Sequence, residues 1–160
     1  MPAPHSFRAP QNTTAEEQAY IALARAADRL ASRFAVWLKP HDISPTQYNA
    51  LRILRGAGPE GLPCSEIGNR MLTHDSDITR LVDRLEKRKW VTRSRDKKDR
   101  RIVRARITEA GLRMLAGLDL PVRTLVGELL GNLAPDKLVQ LTQICEAIAS
   151  QDHVAEQSES

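Results

Sequence analysis

The spacing of apolar residues changes abruptly after Arg88-Lys89, and that change constrains the fold more than any other feature. Before it, Ile78, Leu81, Val82 and Leu85 follow the i, i+3, i+4, i+7 pattern of a half-buried amphipathic helix. After it, Trp90-Val91-Thr92-Arg93 favours a strand. Ile102 to Thr108 then alternates, with Val103, Ala105 and Ile107 on one face and Arg104 and Arg106 on the other. Between these two stretches lies Arg95-Asp96-Lys97-Lys98-Asp99-Arg100-Arg101, a hairpin tip made almost wholly of charge. Upstream, a short helix from about Pro63 to Leu72 carries Ile67 and Met71, Thr73-His74 make a tight break, and Asp75 can cap the next helix. Two short helices joined by a tight turn, the second basic, fit a helix-turn-helix. The two strands and basic tip that follow make it a winged helix-turn-helix.

The rest of the chain frames this module with helices. At 160 residues one domain is expected. Residues 1–12 are proline-rich without a period and read as a mobile arm, and 151–160 as a frayed tail. Thr13 or Thr14, with Glu16 or Glu17 three residues later, forms a capping box opening a helix that runs to about Leu38. In Ser44-Pro45-Thr46-Gln47, Ser44 caps, Pro45 fits the first helical position and Gln47 reaches back; that helix stops at the cluster Gly56 to Gly61. Thr108 is read as the cap of a long helix with Leu115, Leu118, Val122, Leu125, Leu129 and Leu133 in its stripe, which Pro121 should kink or locally break. Pro135 starts a last helix striped by Leu138, Leu141, Cys145 and Ile148. The fold class is therefore mainly α with a small β-hairpin wing: a winged helix-turn-helix over about 44–108, flanked by dimerisation helices at about 14–38 and 109–150, in one domain over 13–150. The apolar terminal helices, including the seam Leu23, Ala27, Leu30, Phe34 and Trp37, have no partner sheet, so a homodimer is expected to cover them.

The charge is distributed unevenly. Arg80 to Arg106 holds thirteen basic and four acidic residues, a net +9 in 27 residues. Residues 1–79 sum to zero and 107–160 to −5. A basic block on a neutral-to-acidic frame is the electrostatic footprint of a polyanion partner. Only two Trp, two Tyr and two Phe are present, which excludes stacking platforms for single-stranded nucleic acid. No apolar stretch is long enough for a membrane span, the N-terminus lacks a secretory core, and two cysteines make no disulfide framework, so a cytoplasmic protein is expected. His5, His41, His74 and His153 lack ligand spacing, so no metal and no cofactor is expected. The chain lacks a phosphate loop, a nucleophile elbow and a suitably set carboxylate pair, so it is not expected to be an enzyme.

In element order and motifs the chain resembles the multiple-antibiotic-resistance regulator (MarR) family of bacterial winged-helix transcription factors. The resemblance is carried by Ile78-Thr79-Arg80-Leu81-Val82-Asp83-Arg84-Leu85-Glu86-Lys87, by Asp96 to Arg101, and by Ile107-Thr108-Glu109-Ala110-Gly111. It extends from about Thr14 to Ser150. It implies a major-groove helix with Ser76, Asp77, Thr79 and Arg80 near base edges, and Arg84 and Lys87 on phosphates. Arg80 is the candidate for a bidentate guanine contact, because its fork matches the O6/N7 acceptors. In the wing, Asp99-x-Arg101 matches a family motif whose arginine enters the minor groove while the aspartate steadies it; Lys97, Lys98 and Arg100 then supply phosphate contacts. Arg93, Arg95, Arg104 and Arg106 are ambiguous strand residues, open also to a role that simply solvates the wing. One departure is Lys89-Trp90, where the family has glycine and an aliphatic residue. Either Lys89 adopts the left-handed conformation or the helix ends differently.

The partner expected for such a dimer is double-stranded DNA carrying a pseudo-palindromic operator. The resemblance further implies a small aromatic or lipophilic effector in a cleft between the dimerisation helices and the winged module. Trp37, His41, Asp42, Tyr48 and Arg52 are the residues facing it, though Trp37 and Tyr48 are residues more often found in a core than in a ligand cage. A repressor is expected rather than an activator, because repression needs only steric exclusion of polymerase. The alternatives are a redox-responsive regulator using Cys64, whose place near a helix N-terminus could stabilise a thiolate, and a winged-helix module for protein or RNA contacts.

Overall fold

The computed structural model describes residues 13–72 and 77–150. The arm 1–12, the tail 151–160, the Thr73-His74 break, the Asp75 cap and Ser76 lie outside the described residues. Helix α1 spans Ala15–Leu38, α2 Pro45–Gly56, α3 Cys64–Arg70, α4 Ile78–Lys87, α5 Glu109–Leu130 and α6 Pro135–Ala149. The strands are β1 Leu62–Pro63, β2 Val91–Arg95 and β3 Val103–Ile107.

Each of the first two helices starts at a capping box. Thr14 and Glu17 exchange bonds at α1: the Glu17 amide donates to Thr14 Oγ1 (3.2 Å) and the Thr14 amide to Glu17 Oε2 (2.9 Å). Ser44 and Gln47 do the same at α2, with Pro45 at its first position. The turn Lys39–His41 between α1 and α2 ends at Asp42 in the left-handed region, φ 54°.

The wing contains the expected hairpin, β2 paired with β3, and adds a third strand to it. It is a three-stranded antiparallel sheet ordered β1-β3-β2, with Leu62 opposite Ala105 and Arg93 opposite Ala105 from the other side. Two residues of β1 carry no alternation to reveal them. They pair because Gly61, at φ 63°, lets the chain lie against β3; a Cβ there would sit 2.1 Å from the Ala105 carbonyl oxygen.

Helix α4 ends in the left-handed turn that the Lys89 departure left open. Lys89 adopts φ 60°. Its amide donates to Glu86 O (2.8 Å) and that of Trp90 to Leu85 O (3.0 Å), the paired bonds of a Schellman termination made without glycine. Thr108 caps α5: its Oγ1 accepts from the Gly111 amide (3.1 Å) and donates to Lys89 O (2.7 Å). Gly111 lies so near the Trp90 carbonyl that a Cβ would fall 2.4 Å from it. Of the two outcomes expected at Pro121, a local break does not occur: α5 is one helix through to Leu130, and Leu133, placed in its stripe, lies beyond its end. A proline removes one amide donor, while the buried stripe Leu118, Val122 and Leu125 continues on both sides of it.

The chain divides into two compact units, residues 1–115 and 116–160, the division falling within α5. In the first, Leu38, Leu51, Leu54, Ile67, Val82, Leu85, Val91 and Leu115 are fully buried. In the second, α6 has no buried residue, and Val139, Leu141, Ile144 and Ile148 face solvent.

Candidate nucleic-acid interface

Helix α4 has two faces. Leu81, Val82 and Leu85 bury one against the module, leaving Thr79, Arg80, Arg84 and Lys87 exposed on the other. The helix begins at Ile78, and its cap is Asp77, whose Oδ1 accepts from the Arg80 amide at 3.0 Å. The other oxygen of Asp77 pairs with Arg80 Nε at 2.9 Å, while the Arg80 side chain remains 76% exposed. Ser76, predicted beside them, lies outside the described residues.

The wing tip is organised by Asp96, a residue that charge counting passed over. Its Oδ1 accepts from the amides of Lys98 (2.8 Å) and Asp99 (3.2 Å), and its Oδ2 from Arg104 Nη1 (3.2 Å). These bonds hold the Asp96 carboxyl below the usual aspartate range, the two amides contributing most. The signal for this role was an aspartate at the start of a tight polar loop, positioned to accept amides two and three residues on. Asp99 accepts from the backbone amide, Nε and Nη2 of Arg101 at 3.0, 3.2 and 3.2 Å, which lowers its carboxyl too. Arg101 is thereby held at one end while its side chain is 92% exposed. Lys97, Lys98 and Arg100 are exposed around it.

The four ambiguous arginines are not mere solvating residues. Arg93 pairs with Glu86 at 2.6 Å and with Asp83, tying β2 to α4 and pulling the Glu86 carboxyl down. Arg104 donates to the carbonyls of Glu60 and Gly61 and to Asp96, and Arg106 to Glu60 O, fastening β3 to the loop before β1. Arg95 donates to Arg100 O at 2.9 Å. Several of the block's arginines are thus paired within the module, leaving Arg80, Arg84, Lys87, Lys89 and the wing-tip residues as its outward part.

Of the effector candidates, the rings of Trp37 and His41 lie with centroids 4.7 Å apart and planes tilted by 41°. Phe34 joins them, 6.2 Å from Trp37 and 5.5 Å from Tyr48, whose ring has Arg52 5.9 Å away. By its spacing Phe34 belongs to the helix seam, and its i, i+3 relation to Trp37 is the sequence signal for this ring cluster. Asp42 is directed elsewhere, with its carbonyl and carboxylate both bound by Arg88, and Arg88 lies 3.9 Å from the Trp90 ring. Burial raises the Cys64 thiol above its ordinary value, with Arg93 opposing. Among the described residues no helix is long and apolar enough to cross a membrane.

A buried helix pair, an outward basic helix and a charged wing define a winged helix-turn-helix protein of the DNA-reading class. The model of the MarR family matches residues 43–103. The uncharacterized HTH-type transcriptional regulator YkoM of Bacillus subtilis is 31% identical over 123 residues, covering 76% of this chain and 78% of its own. The crystal structure of a MarR transcription factor from Planctomyces limnophilus is 38% identical, with a TM-score of 0.66, covering 84% of this chain and 97% of that one. PcaV from Streptomyces coelicolor, solved in complex with its natural ligand, is 27% identical with a TM-score of 0.68, covering 78% and 89%. The chain belongs to the MarR family of winged-helix transcriptional regulators.

Proposed function

We propose that the protein is a homodimeric repressor that binds a pseudo-palindromic operator and is released by a small aromatic or lipophilic effector. The observation that carries the reading is the exposed pairing of α4 with the wing: Arg80 outward on a helix anchored by its opposite face, and Arg101 held by Asp99 with its guanidinium in solvent. In this reading Asp77, Thr79 and Arg80 lie near base edges, as does Ser76, while Arg84, Lys87, Lys97, Lys98 and Arg100 meet phosphates. Arg101 enters the minor groove, where a narrow A·T-rich tract attracts arginine. The apolar residues exposed on α1 and α6, Tyr20 and Ile144 among them, support a second copy as the partner that covers them. The rings of Phe34, Trp37, His41 and Tyr48 with Arg52 are the proposed effector contacts, and the ligand held by PcaV supports an effector here.

A gel shift with the DNA flanking the protein's own gene tests the reading. A sequence-specific complex that weakens steeply with salt is expected; no shift at low salt overturns it. Raised by burial, the Cys64 thiol gives the redox alternative no support, and DNA binding unchanged by peroxide is the expected result.

A further inference from the structure

We propose that Asp77 is a positioning residue that gives Arg80 its base specificity, holding the guanidinium end-on toward guanine and away from phosphates. The inference rests on the reading of α4 as the DNA-contacting helix. An arginine carries five N–H groups in a rigid fork. Asp77 Oδ2 forms an ion pair with Arg80 Nε at 2.9 Å while its other oxygen is fixed by the Arg80 amide at 3.0 Å. The carboxylate is therefore itself anchored to the helix backbone, and it fixes the direction of the fork. The two Nη groups are the part of the fork left to meet O6 and N7 of guanine side by side, whereas adenine opposes them with its N6 donor. An exposed arginine without this hold would be able to swing to a phosphate and bind any sequence. The Asp77 charge adds a second filter. It repels phosphate oxygens near the start of α4, so the residue lowers affinity for random DNA while it sharpens the choice of base.

The test uses the full chain. Wild-type protein first enriches preferred duplexes from a randomised pool. Fluorescence anisotropy then measures Asp77→Asn, Asp77→Ala, Arg80→Ala and the Asp77→Asn/Arg80→Ala double variant. The probes are the enriched duplex, a scrambled one, and the enriched duplex with 7-deazaguanine at each guanine in turn. Asparagine caps a helix as well as aspartate does, so Asp77→Asn removes the charge and keeps the cap. In wild type, 7-deazaguanine at one guanine, which removes the N7 acceptor and keeps O6, should weaken binding by at least about fivefold, the lower end of the range for a bidentate contact. Asp77→Asn should lose at least about fivefold of that preference without binding the scrambled duplex more weakly. In the Arg80→Ala background, Asp77→Asn should leave guanine preference unchanged. Full guanine preference in Asp77→Asn, or an equal loss on both duplexes, overturns the inference and leaves the DNA-binding reading intact. A wild-type chain that enriches no duplex overturns that reading itself and the inference with it.

Discussion

Two kinds of residue hold the wing in register, and they respond to different perturbations. Gly61 acts through space alone. A methyl group there meets the Ala105 carbonyl oxygen at 2.1 Å on a backbone already at φ 63°, so Gly61→Ala should cost about 2–4 kcal/mol in denaturant unfolding. A cost below about 0.5 kcal/mol, the size of an ordinary surface change, would contradict that account. Asp96 and Asp99 act through charge. Both carboxyls are held below the usual aspartate range by amides and arginines, so their contribution is complete above the unfolded value and is lost as pH falls through the lowered folded values. Amide resonances of Lys98, Asp99 and Arg101 should therefore stay constant from neutral pH down to the ordinary aspartate value, about 3.9, and move only below it. A transition centred at or above that value would show that these bonds do not order the loop.

At the scale of elements, α4 shows where local chemistry was readable and where it was not. Lys89 at φ 60° completes a Schellman turn at a cost that glycine would not incur. Lys89→Gly should therefore stabilise the fold by about 0.5–1 kcal/mol, measured by thermal or denaturant unfolding, and a loss of stability would mean that the lysine side chain contributes elsewhere. That site was legible because a departure from a familiar glycine leaves only two outcomes. The capping boxes at Thr14 and Ser44 were legible for a similar reason, since each is a contact between residues three apart in sequence. By contrast, β1 was invisible: its two residues pair only through contact with β3, more than forty residues away. Arg93, Arg104 and Arg106 were opaque too. A count of charges cannot say which cations face outward and which meet Glu86, Glu60 or Asp96 across the fold. In the candidate site, the outward α4 residues followed from helical period. The pairing of Asp77 with Arg80 required the actual start of the helix, and the cap had been placed at Asp75 instead.

At the scale of the whole molecule, the apolar surface of α6 and the outward charge make linked predictions about assembly and affinity. Val139, Ile144 and Ile148 are 57%, 58% and 48% exposed, so a second copy that covers α6 should be sensitive to charge placed there. Val139→Glu/Ile144→Glu should sediment as a monomer at micromolar concentration; an unchanged dimer would place the interface elsewhere. On the proposed reading the DNA affinity depends on that dimer, because each protomer would offer Arg84, Lys87, Lys97, Lys98 and Arg100 to phosphates, and two protomers double the number. Each neutralised phosphate on duplex DNA contributes about 0.9 to the slope of log K against log salt. The wild-type dimer should then show a slope near −9, and Arg100→Ala, which removes one contact per half-site, should make it shallower by about 2 while weakening all sequences alike. Arg93→Ala should behave differently, since Arg93 is engaged with Glu86 and Asp83. It should lower stability with little change in slope. Equal slope changes for Arg100→Ala and Arg93→Ala would mean that the division of this basic cluster into outward and inward arginines is wrong.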